Sequence, residues 1–423
     1  MLNNSFAGNC DGPAWQAKVE QYTFAVYAKQ AGYQTGYAGK YLNTYGAKGS
    51  NRVPPGWDKW LAIVGNSAYY NYNVVQSENG GVSATRYKHG NSYKADYFSD
   101  VVANRTLAMI REFTSAKSSS KPFLIVNAWP APHDPITPAP WAWGWFDYLK
   151  APRTPNWNAS SVYQQSKHWI VRKQSPINLN FEKFIDRIHA SRLETLLSVD
   201  RHINEFVQLL QQRGVLDNTI IIYTSDNGFQ LGQHRLRHEK YHMYEHDIRV
   251  PFVVRGPNIP KNHSVYDIAL NIDIAPTIYH IIKNGSTKSV PIPESMDGTS
   301  FLPIITTSTQ RRKDFLISFY GEGQPSCGLE LCPPPRPGGD FIATDSFNNT
   351  YHCVRSIILS NHTNFVFCRF EDKENFVEYY DLTVDPWQLH NKIHTLKPSR
   401  LAVLNKRLAA LRACRGSSCR TSN

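Results

Sequence analysis

The segment from Ile220 to Pro257 is rich in residues that can bind metal ions or move protons. A carboxylate and an amide stand side by side at Asp226 and Asn227, and histidines follow at four-residue spacing. Those histidines are His234, His238, His242 and His246. Within the series, His238-Glu239-Lys240-Tyr241-His242 matches H-E-x-x-H, in which two histidines on one helical face bind zinc and the glutamate acts as a base. Two metal chemistries are therefore open: a hard cation at Asp226 and Asn227, or zinc at His238 and His242.

Three polar groups in the first two-thirds of the chain each follow a predicted strand. "YQTGYA" precedes Gly39-Lys40, "PFLIVNA" (122–128) precedes His133, and "TIIIYT" (219–224) precedes Asp226 and Asn227. In an α/β sheet, ligands bind beyond the carboxyl ends of the strands. We therefore expect Lys40, His133 and the Asp226-Asn227 pair at one rim of a sheet.

Amphipathic helices alternate with these strands. A short helix capped by Thr23 ends at Gly32, and a second helix presents one apolar face. The residues of that face are Phe98, Val102, Met109 and Phe113. A third helix, with apolar residues from Leu193 to Leu210, stops at Gly214. This alternation predicts an α/β fold with helices on both faces of the sheet.

The character of the chain changes after about residue 305. A Pro/Gly-rich stretch, "CPPPRPGGD", is followed by three short β-rich runs and a helix from about Ser399 to Arg412. The runs are "VRSIIL", "NFVFCRF" and "FVEYYDL". We predict a catalytic domain over 1–305 and a smaller antiparallel α+β domain over 306–423.

Composition and charge limit the partners. The 423 residues are 41% hydrophobic, enough for one large core or two unequal ones, and the formal charge of +12 favours a polyanionic partner. No basic cluster is interleaved with a nucleic-acid-binding motif, so nucleic acid is the weakest candidate. No apolar run reaches the ~18 residues of a membrane helix, so we expect no membrane span. An anionic membrane surface and a sulfated glycan stay open, because charge alone does not choose between them.

Glycosylation acceptors and cysteines point to an export route. Asn-x-Ser/Thr sequences begin at Asn3, Asn104, Asn158, Asn262, Asn284, Asn348 and Asn361. A lysosomal or secreted protein is expected, although "MLNNSFAGNC" is no signal peptide; we interpret this as a missing N-terminus. Six of the seven cysteines lie near the C-terminus, the other being Cys10. We predict a Cys414–Cys419 disulfide and two further bridges among Cys327, Cys332, Cys353 and Cys368.

Seven segments, in order along the chain, resemble the sulfatase family. They are "AGYQTGYAGKYLNTYG", "PAPHDPITPAPW", "YTSDNGFQLGQH", "YEHDIRVPFVVRGP", "NIDIAPTI", "MDGTSFLP" and "EYYDLTVDPWQLHN". Within the family, the likeness is to the branch that removes 6-O-sulfate from N-acetylglucosamine residues of heparan and keratan sulfate. The resemblance implies an alkaline-phosphatase-like sheet, a calcium ion and a sulfated glycosaminoglycan substrate.

The resemblance also implies roles for site residues. Asp226 and Asn227 resemble two of the calcium ligands, Lys40 and Lys240 resemble the lysines that hold the sulfate oxygens, and His133 resembles the histidine beside the leaving group. A further candidate sulfate contact is His234, since sulfatases commonly have a histidine after Gly-Gln or Gly-Glu at this point.

The family's nucleophile and first calcium ligands are the main departure. Sulfatases begin with a strand that carries paired aspartates and a C-x-P-S-R motif, whose cysteine a formylglycine-generating enzyme converts to formylglycine. Residues 1–39 contain neither, and the C-x-P-x-R at Cys332 lies in a proline-fixed loop far from the expected place. We therefore expect little activity from the chain as given.

Two alternatives stay open at this stage. The first is a non-catalytic, sulfated-glycan-binding relative, indicated by the absent cysteine motif and the basic charge. The remote second is a zinc metalloprotease through His238, Glu239 and His242, supported by H-E-x-x-H alone.

Overall fold

The computed structural model describes residues 11–118, 120–237, 240–285, 293–294, 296–306, 310–321 and 349–420. By compactness the chain divides into two units, each built from several segments. Unit 1 comprises Met1–Leu149, Arg187–Ile220 and Ile278–Ile292, and unit 2 comprises Lys150–Asp186, Ile221–Thr277 and Pro293–Asn423. The domain boundary at residue 305 stays a prediction.

Unit 1 contains a five-stranded mixed sheet. Its strands are β1 (Gln34–Gly39), β2 (Lys59–Ile63), β3 (Asn73–Ser77), β4 (Thr85–Lys88) and β5 (Phe123–Ala128), in the order β4-β3-β2-β1-β5. Strand β1 is parallel to both β2 and β5, whereas β2–β3 and β3–β4 are antiparallel. The predictions of β1 and β5 are confirmed; β2, β3 and β4 were not predicted.

Four described helices lie before and between the strands of this sheet along the chain. They are α1 (Pro13–Lys18), α2 (Phe24–Gln30), α3 (Tyr93–Asp96) and α4 (Phe98–Phe113). Thr23 is the N-cap of α2, as predicted, although its side chain makes no capping hydrogen bond. The predicted apolar face of α4 is buried in one core cluster with residues of β1, β2 and β3. Successive side chains of β1 enter opposite cores: Ala38 joins the α4 cluster and Tyr37 joins an aromatic cluster with Trp57 and Trp60.

The longest helix, α7 (Leu179–Gln212), begins well before the first apolar residue used to predict it. Two short helices precede it, α5 (Ser161–Gln164) and α6 (Trp169–Arg172). In unit 2, β6 (Ile221–Thr224) pairs antiparallel with β7 (Phe252–Arg255), and α8 (Glu245–Ile248) lies between them in sequence. Helix α9 (Ile274–Gly285) and helix α10 (Leu302–Thr306) follow.

An antiparallel sheet forms the C-terminal part of unit 2, as predicted. Its strands are β8 (Asp314–Phe319), β9 (Tyr351–Ile358), β10 (Thr363–Phe370) and β11 (Val377–Asp381), in the order β11-β10-β9-β8. Leu404, Leu408 and Leu411 of helix α11 (Pro398–Ala413) pack in one cluster with residues of β9 and β10. The chain then forms helix α12 (Ser417–Arg420).

Two disulfides join described cysteines. Cys353 on β9 is bonded to Cys368, its register partner on β10, and Cys414 is bonded to Cys419 as predicted. Cys10, Cys327 and Cys332 lie outside the described residues, so the third predicted bridge stays a prediction. Within the described ranges, no helix is long and apolar enough to cross a bilayer.

Candidate active site

Lys40 is placed by a close approach of two backbones. It follows the last residue of β1, and its backbone N–H donates to the carbonyl of Ala128 at the end of β5 over 2.8 Å. Gly39 has φ +131°, and a Cβ there would lie 1.9 Å from the Ala128 oxygen. Only glycine therefore fits between β1 and β5 at this level.

The groups around Lys40 hold both its backbone and its side chain. Its ammonium donates to the amide oxygen of Asn43, and the phenol of Tyr37 donates to its carbonyl. Tyr37 is itself fixed by stacking on Trp60, with ring centroids 4.7 Å apart. We did not predict Asn43 or Tyr37; the spacing Lys40-x-x-Asn43 was the available signal.

His133 lies five residues beyond β5, in a loop whose backbone carbonyls accept hydrogen bonds from two side chains. Tyr69 donates its hydroxyl to the His133 carbonyl over 3.1 Å, and Arg192 donates to the Pro132 carbonyl over 2.9 Å. The ring Nδ1 lies 2.8 Å from the Asp134 carbonyl oxygen. Because a carbonyl can only accept, Nδ1 is the protonated nitrogen of the neutral ring and Nε2 is the basic one.

Within unit 1, Lys40 and His133 thus belong to the carboxyl ends of adjacent parallel strands. Gly39 and Ala128 are register partners, and both chains continue from there into loops. This agrees with the predicted rim as far as unit 1 is concerned.

Asp226 and Asn227 follow β6, where hydrogen bonds fix the turn. The Asp226 carboxylate accepts from the Asn227 backbone over 3.0 Å, and Asn271 donates to the carbonyls of Ser225 and Asp226 over 3.0 and 3.1 Å. A Cβ on Gly228 would lie 1.9 Å from the His246 oxygen, so glycine allows this crossing too.

The donor chemistry of this turn fits a hard cation. Asp226 is exposed, and the side-chain amide nitrogen of Asn227 donates to the Gly228 carbonyl, so the amide oxygen is the ligand atom that Asn227 can offer. Calcium prefers about six to eight oxygen ligands, so these two residues fit as part of a larger set. Among the residues that the structure describes, no group of three or more His, Cys, Asp or Glu side chains could hold a metal ion.

His234 is fully buried in unit 2. Its Nε2 lies 3.2 Å from the amide nitrogen of Asn156, and its ring packs on Tyr244 with centroids 4.2 Å apart. Because the amide nitrogen donates, the neutral ring carries its proton on Nδ1, and that nitrogen has no hydrogen-bond partner among the described residues. Burial lowers the pKa of His234 well below its usual range, and the positive charge of Lys167 lowers it further.

Lys240 and the H-E-x-x-H series lie between His234 and α8. His238 and Glu239 fall outside the described residues. Lys240 is half-buried, and residues Lys240–Tyr244 are not helical, so the helix that zinc ligation by His238 and His242 requires is not found in its described part. His242 is buried, with its backbone N–H donating to the Asp247 carboxylate over 2.7 Å.

A buried lysine that we did not predict lies close to His234. Lys167 donates to the Tyr380 hydroxyl over 2.7 Å and to the Gln388 carbonyl. Burial lowers the pKa of Lys167 to about 8, against the opposing effect of the Glu378 and Asp385 carboxylates. In "QQSKHW" it looks like a surface lysine, and no sequence signal distinguishes it.

Comparisons with known proteins give a consistent result. The sulfatase family model matches residues 1–283. N-acetylglucosamine-6-sulfatases of Homo sapiens and Capra hircus are each 40% identical over 437 aligned residues, covering 100% of this chain and 75% and 74% of theirs. A putative extracellular sulfatase of Caenorhabditis elegans is 40% identical over 72% of this chain and 40% of its own length.

Solved structures share the fold. A protein solved in complex with its substrate D-glucosamine-2-N,6-O-disulfate has a TM-score of 0.70 and 20% identity, covering 96% of this chain and 84% of its own. A putative sulfatase of Bacteroides fragilis has a TM-score of 0.61 at 18% identity, covering 91% and 75%. The predicted α/β fold with a smaller antiparallel part is thereby confirmed, and the zinc protease alternative is not favoured. With the family model over two-thirds of its length and relatives at 40% identity over all of it, this chain belongs to the sulfatase family.

Proposed function

We propose that the protein is a sulfuric ester hydrolase that removes 6-O-sulfate from N-acetylglucosamine residues of glycosaminoglycans such as heparan and keratan sulfate. The carrying observation is the 40% identity, over the whole chain, to N-acetylglucosamine-6-sulfatases. The basic charge of +12 supports a sulfated polyanion as substrate.

The lysines are assigned to the sulfate oxygens. Negative charge on those oxygens is best stabilised by cations that are already in place before the reaction. Lys40 meets this condition, because β1 is hydrogen-bonded on both sides and Gly39 fixes its exit. Lys240 takes the same role by its sequence position. His234, a substrate contact by its sequence position, is buried and neutral, and its Nδ1–H, which has no hydrogen-bond partner among the described residues, is the atom to test.

His133 is assigned to the leaving alcohol. The sugar O6 departs as an alkoxide unless it receives a proton. With Nδ1 donating to the Asp134 carbonyl, Nε2 is the nitrogen that exchanges protons. The imidazolium form would therefore donate from Nε2 while the Asp134 bond holds the ring.

Calcium and formylglycine complete the proposal. Asp226 and Asn227 would hold calcium, which when bound supplies positive charge near the sulfate. The formylglycine-generating enzyme would act on a C-x-P-S-R motif. The 423-residue sequence contains no such motif. No residue of this chain is therefore assigned the covalent step.

A glycosylated, lysosomal or secreted protein is part of the proposal. Asn104, Asn262 and Asn361 are exposed, as a glycan acceptor must be. The amide of Asn158 instead makes two hydrogen bonds with the backbone of Ile177, over 3.2 and 2.8 Å. We therefore expect glycans on the first three and none on Asn158, checked by glycopeptide mass spectrometry.

The function is tested with two versions of the chain, produced with a formylglycine-generating enzyme. One is the chain as given; the other is preceded by the first strand and cysteine motif of the human relative. Sulfate release from N-acetylglucosamine 6-sulfate is measured, with the 3-sulfate isomer as control. We expect release from the extended version, with a preference for the 6-sulfate. Absence of release from the extended version, with calcium present, would contradict the proposal, and tight binding without release would favour a glycan-binding relative.

A further inference from the structure

Unit 2 contains a small cavity lined by arginines. Its volume is about 160 Å³, and its basic residues are Arg311, Arg312 and Arg420. Pockets that enclose drug-sized ligands usually measure about 300–1,000 Å³, so this one is suited to a single small group. The positive charges outnumber the lining carboxylate of Asp273.

The arginines are held in different ways. Arg312 is committed to the buried Asp273, to which it donates over 2.5 and 2.9 Å. Asp273 also accepts from the backbone of Thr299 over 2.8 Å, so this pair is a fixed wall. One terminal nitrogen of Arg420 donates to the Met296 carbonyl over 2.6 Å. A guanidinium carries five N–H donors, so this single bond does not use all of them.

The rest of the lining combines polar and apolar residues. Thr299 and Ser300 add polar groups, and an apolar wall is made by Ile268, Phe301 and Ile304. Two further carboxylates do not line the cavity and accept hydrogen bonds from backbone N–H groups. Asp267 accepts from the backbone N–H of Arg311 over 2.7 Å, and Asp297 accepts from the backbone N–H of Gly416 over 2.6 Å.

A disulfide holds the C-terminal arginine in place. Arg420 follows Cys419, which closes a small loop with Cys414, and Gly416 in that loop is the residue bonded to Asp297. Arg420 is therefore attached directly to a crosslinked loop, which lowers the backbone entropy lost when its guanidinium binds a ligand.

We propose that this cavity is a second oxyanion-binding site, which takes one sulfate group and is lined by none of the residues assigned to the candidate active site. The group is either free inorganic sulfate or a sulfo group of a glycan. Arginine suits this role because its planar fork matches the oxygens of sulfate and phosphate. The proposal does not depend on the sulfatase activity.

Sulfate binding is measured by isothermal titration calorimetry and thermal shift at constant ionic strength, in a Lys40→Ala, Lys240→Ala background that removes the lysines proposed for catalysis. We expect saturable binding. Arg420→Gln should weaken it about tenfold, the effect of losing a charged hydrogen bond. Arg415→Gln is the matched control, because Arg415 is exposed in the same loop and does not line the cavity.

Sulfate also stabilises proteins by exclusion from their surface. An unsaturable shift, equal in the Arg420→Gln and Arg415→Gln variants, would therefore overturn the proposal, as would absence of calorimetric binding. In a second arm, glucosamine 6-sulfate competes with inorganic sulfate. Competition lost in Arg420→Gln supports a glycan sulfo group as ligand, and binding of inorganic sulfate alone supports the free ion.

Discussion

Strands β1 and β6 deliver candidate active-site residues at their carboxyl ends, but their surroundings differ. Strand β1 is hydrogen-bonded to β2 and β5 and lies between two cores, so Lys40 leaves a buried frame. Strand β6 pairs with β7, and Asp226 after it is exposed. A lysine that stabilises charge on a substrate gains from a rigid frame, whereas a metal ligand can be aligned by the metal itself. We infer that packing prepares the first region and that hydrogen bonds around the turn prepare the second.

The largest effect is expected from adding one methyl group at each close approach of two backbones, at Gly39 after β1 and at Gly228 after β6. Gly39→Ala combines a strained φ with a backbone clash, and should cost about 4 kcal/mol of unfolding free energy. Gly228→Ala has the clash without a positive φ, and should cost about 2 kcal/mol. Gly32, with φ +93° and no atom near its Cβ position, is the control for φ alone. Equal urea midpoints for Gly39→Ala and Gly32→Ala would remove the packing argument.

The second test compares Lys40 with Asp226 in an active, N-terminally extended version. Lys40→Ala should lower kcat/KM about 10²–10³-fold at any calcium concentration, as expected for loss of one preorganised charge. Asp226→Ala should instead raise the calcium concentration needed for half-maximal activity. Exposed Lys48→Ala is the control. A calcium-dependent defect in Lys40→Ala, or a calcium-independent one in Asp226→Ala, would reverse the assignments.

The third test uses pH, because the segment that follows β6 contains His234, a fully buried titratable residue. Its pKa is lowered in the folded protein, so below about pH 6.5 the unfolded chain binds one proton more than the folded chain. Stability therefore falls as pH falls from about 6.5 toward the folded pKa, by up to about 1.4 kcal/mol per pH unit. Burial also lowers the pKa of His168, His246 and His352, so His234→Gln should reduce this slope between pH 6.5 and 5 without abolishing it, measured by melting temperature. The exposed His263→Gln should leave it unchanged.

The smallest effects are expected from single hydrogen bonds. Tyr37→Phe keeps the stack on Trp60 but removes the donor to the Lys40 carbonyl, and should cost about 1 kcal/mol. Asn271→Ala removes two bonds near Asp226, but Asn271 is exposed, so water replaces them at a cost below about 0.5 kcal/mol. A loss of stability well above about 0.5 kcal/mol from Asn271→Ala would contradict this expectation, because it would show that water does not replace the two hydrogen bonds at the turn after β6.

The parts of the fold that were predictable carry a strong local pattern. The apolar face of α4 has helical spacing, and β5 is a short continuous apolar run, so both predictions were confirmed. Strand β2 has turn residues on both sides, Pro54-Pro55-Gly56 before it and Gly65-Asn66 after it, but its Trp60 packs in an aromatic cluster with residues that are distant in sequence. Such strands depend on long-range pairing, which a single sequence does not display.

The same limit applies to the site. Residue types and strand ends indicated Lys40, His133 and Asp226, because a strand that ends in a polar loop has a local signature. The burial of Lys167 and His234 could not be read in this way. A lysine is rarely fully buried, and strand β11, which supplies Tyr380 and Glu378, together with the Gln388 carbonyl makes the burial of Lys167 tolerable.

The Cys353–Cys368 bond changes what a break in the chain would mean. The two cysteines are register partners on β9 and β10, and the turn between these strands, Leu359–His362, is exposed. A protease that cut this turn would leave both strands joined covalently and still paired along their length. The cut chain would migrate as one piece until the disulfide was reduced, and then as two. In surroundings rich in proteases, the sheet therefore tolerates damage at this exposed turn.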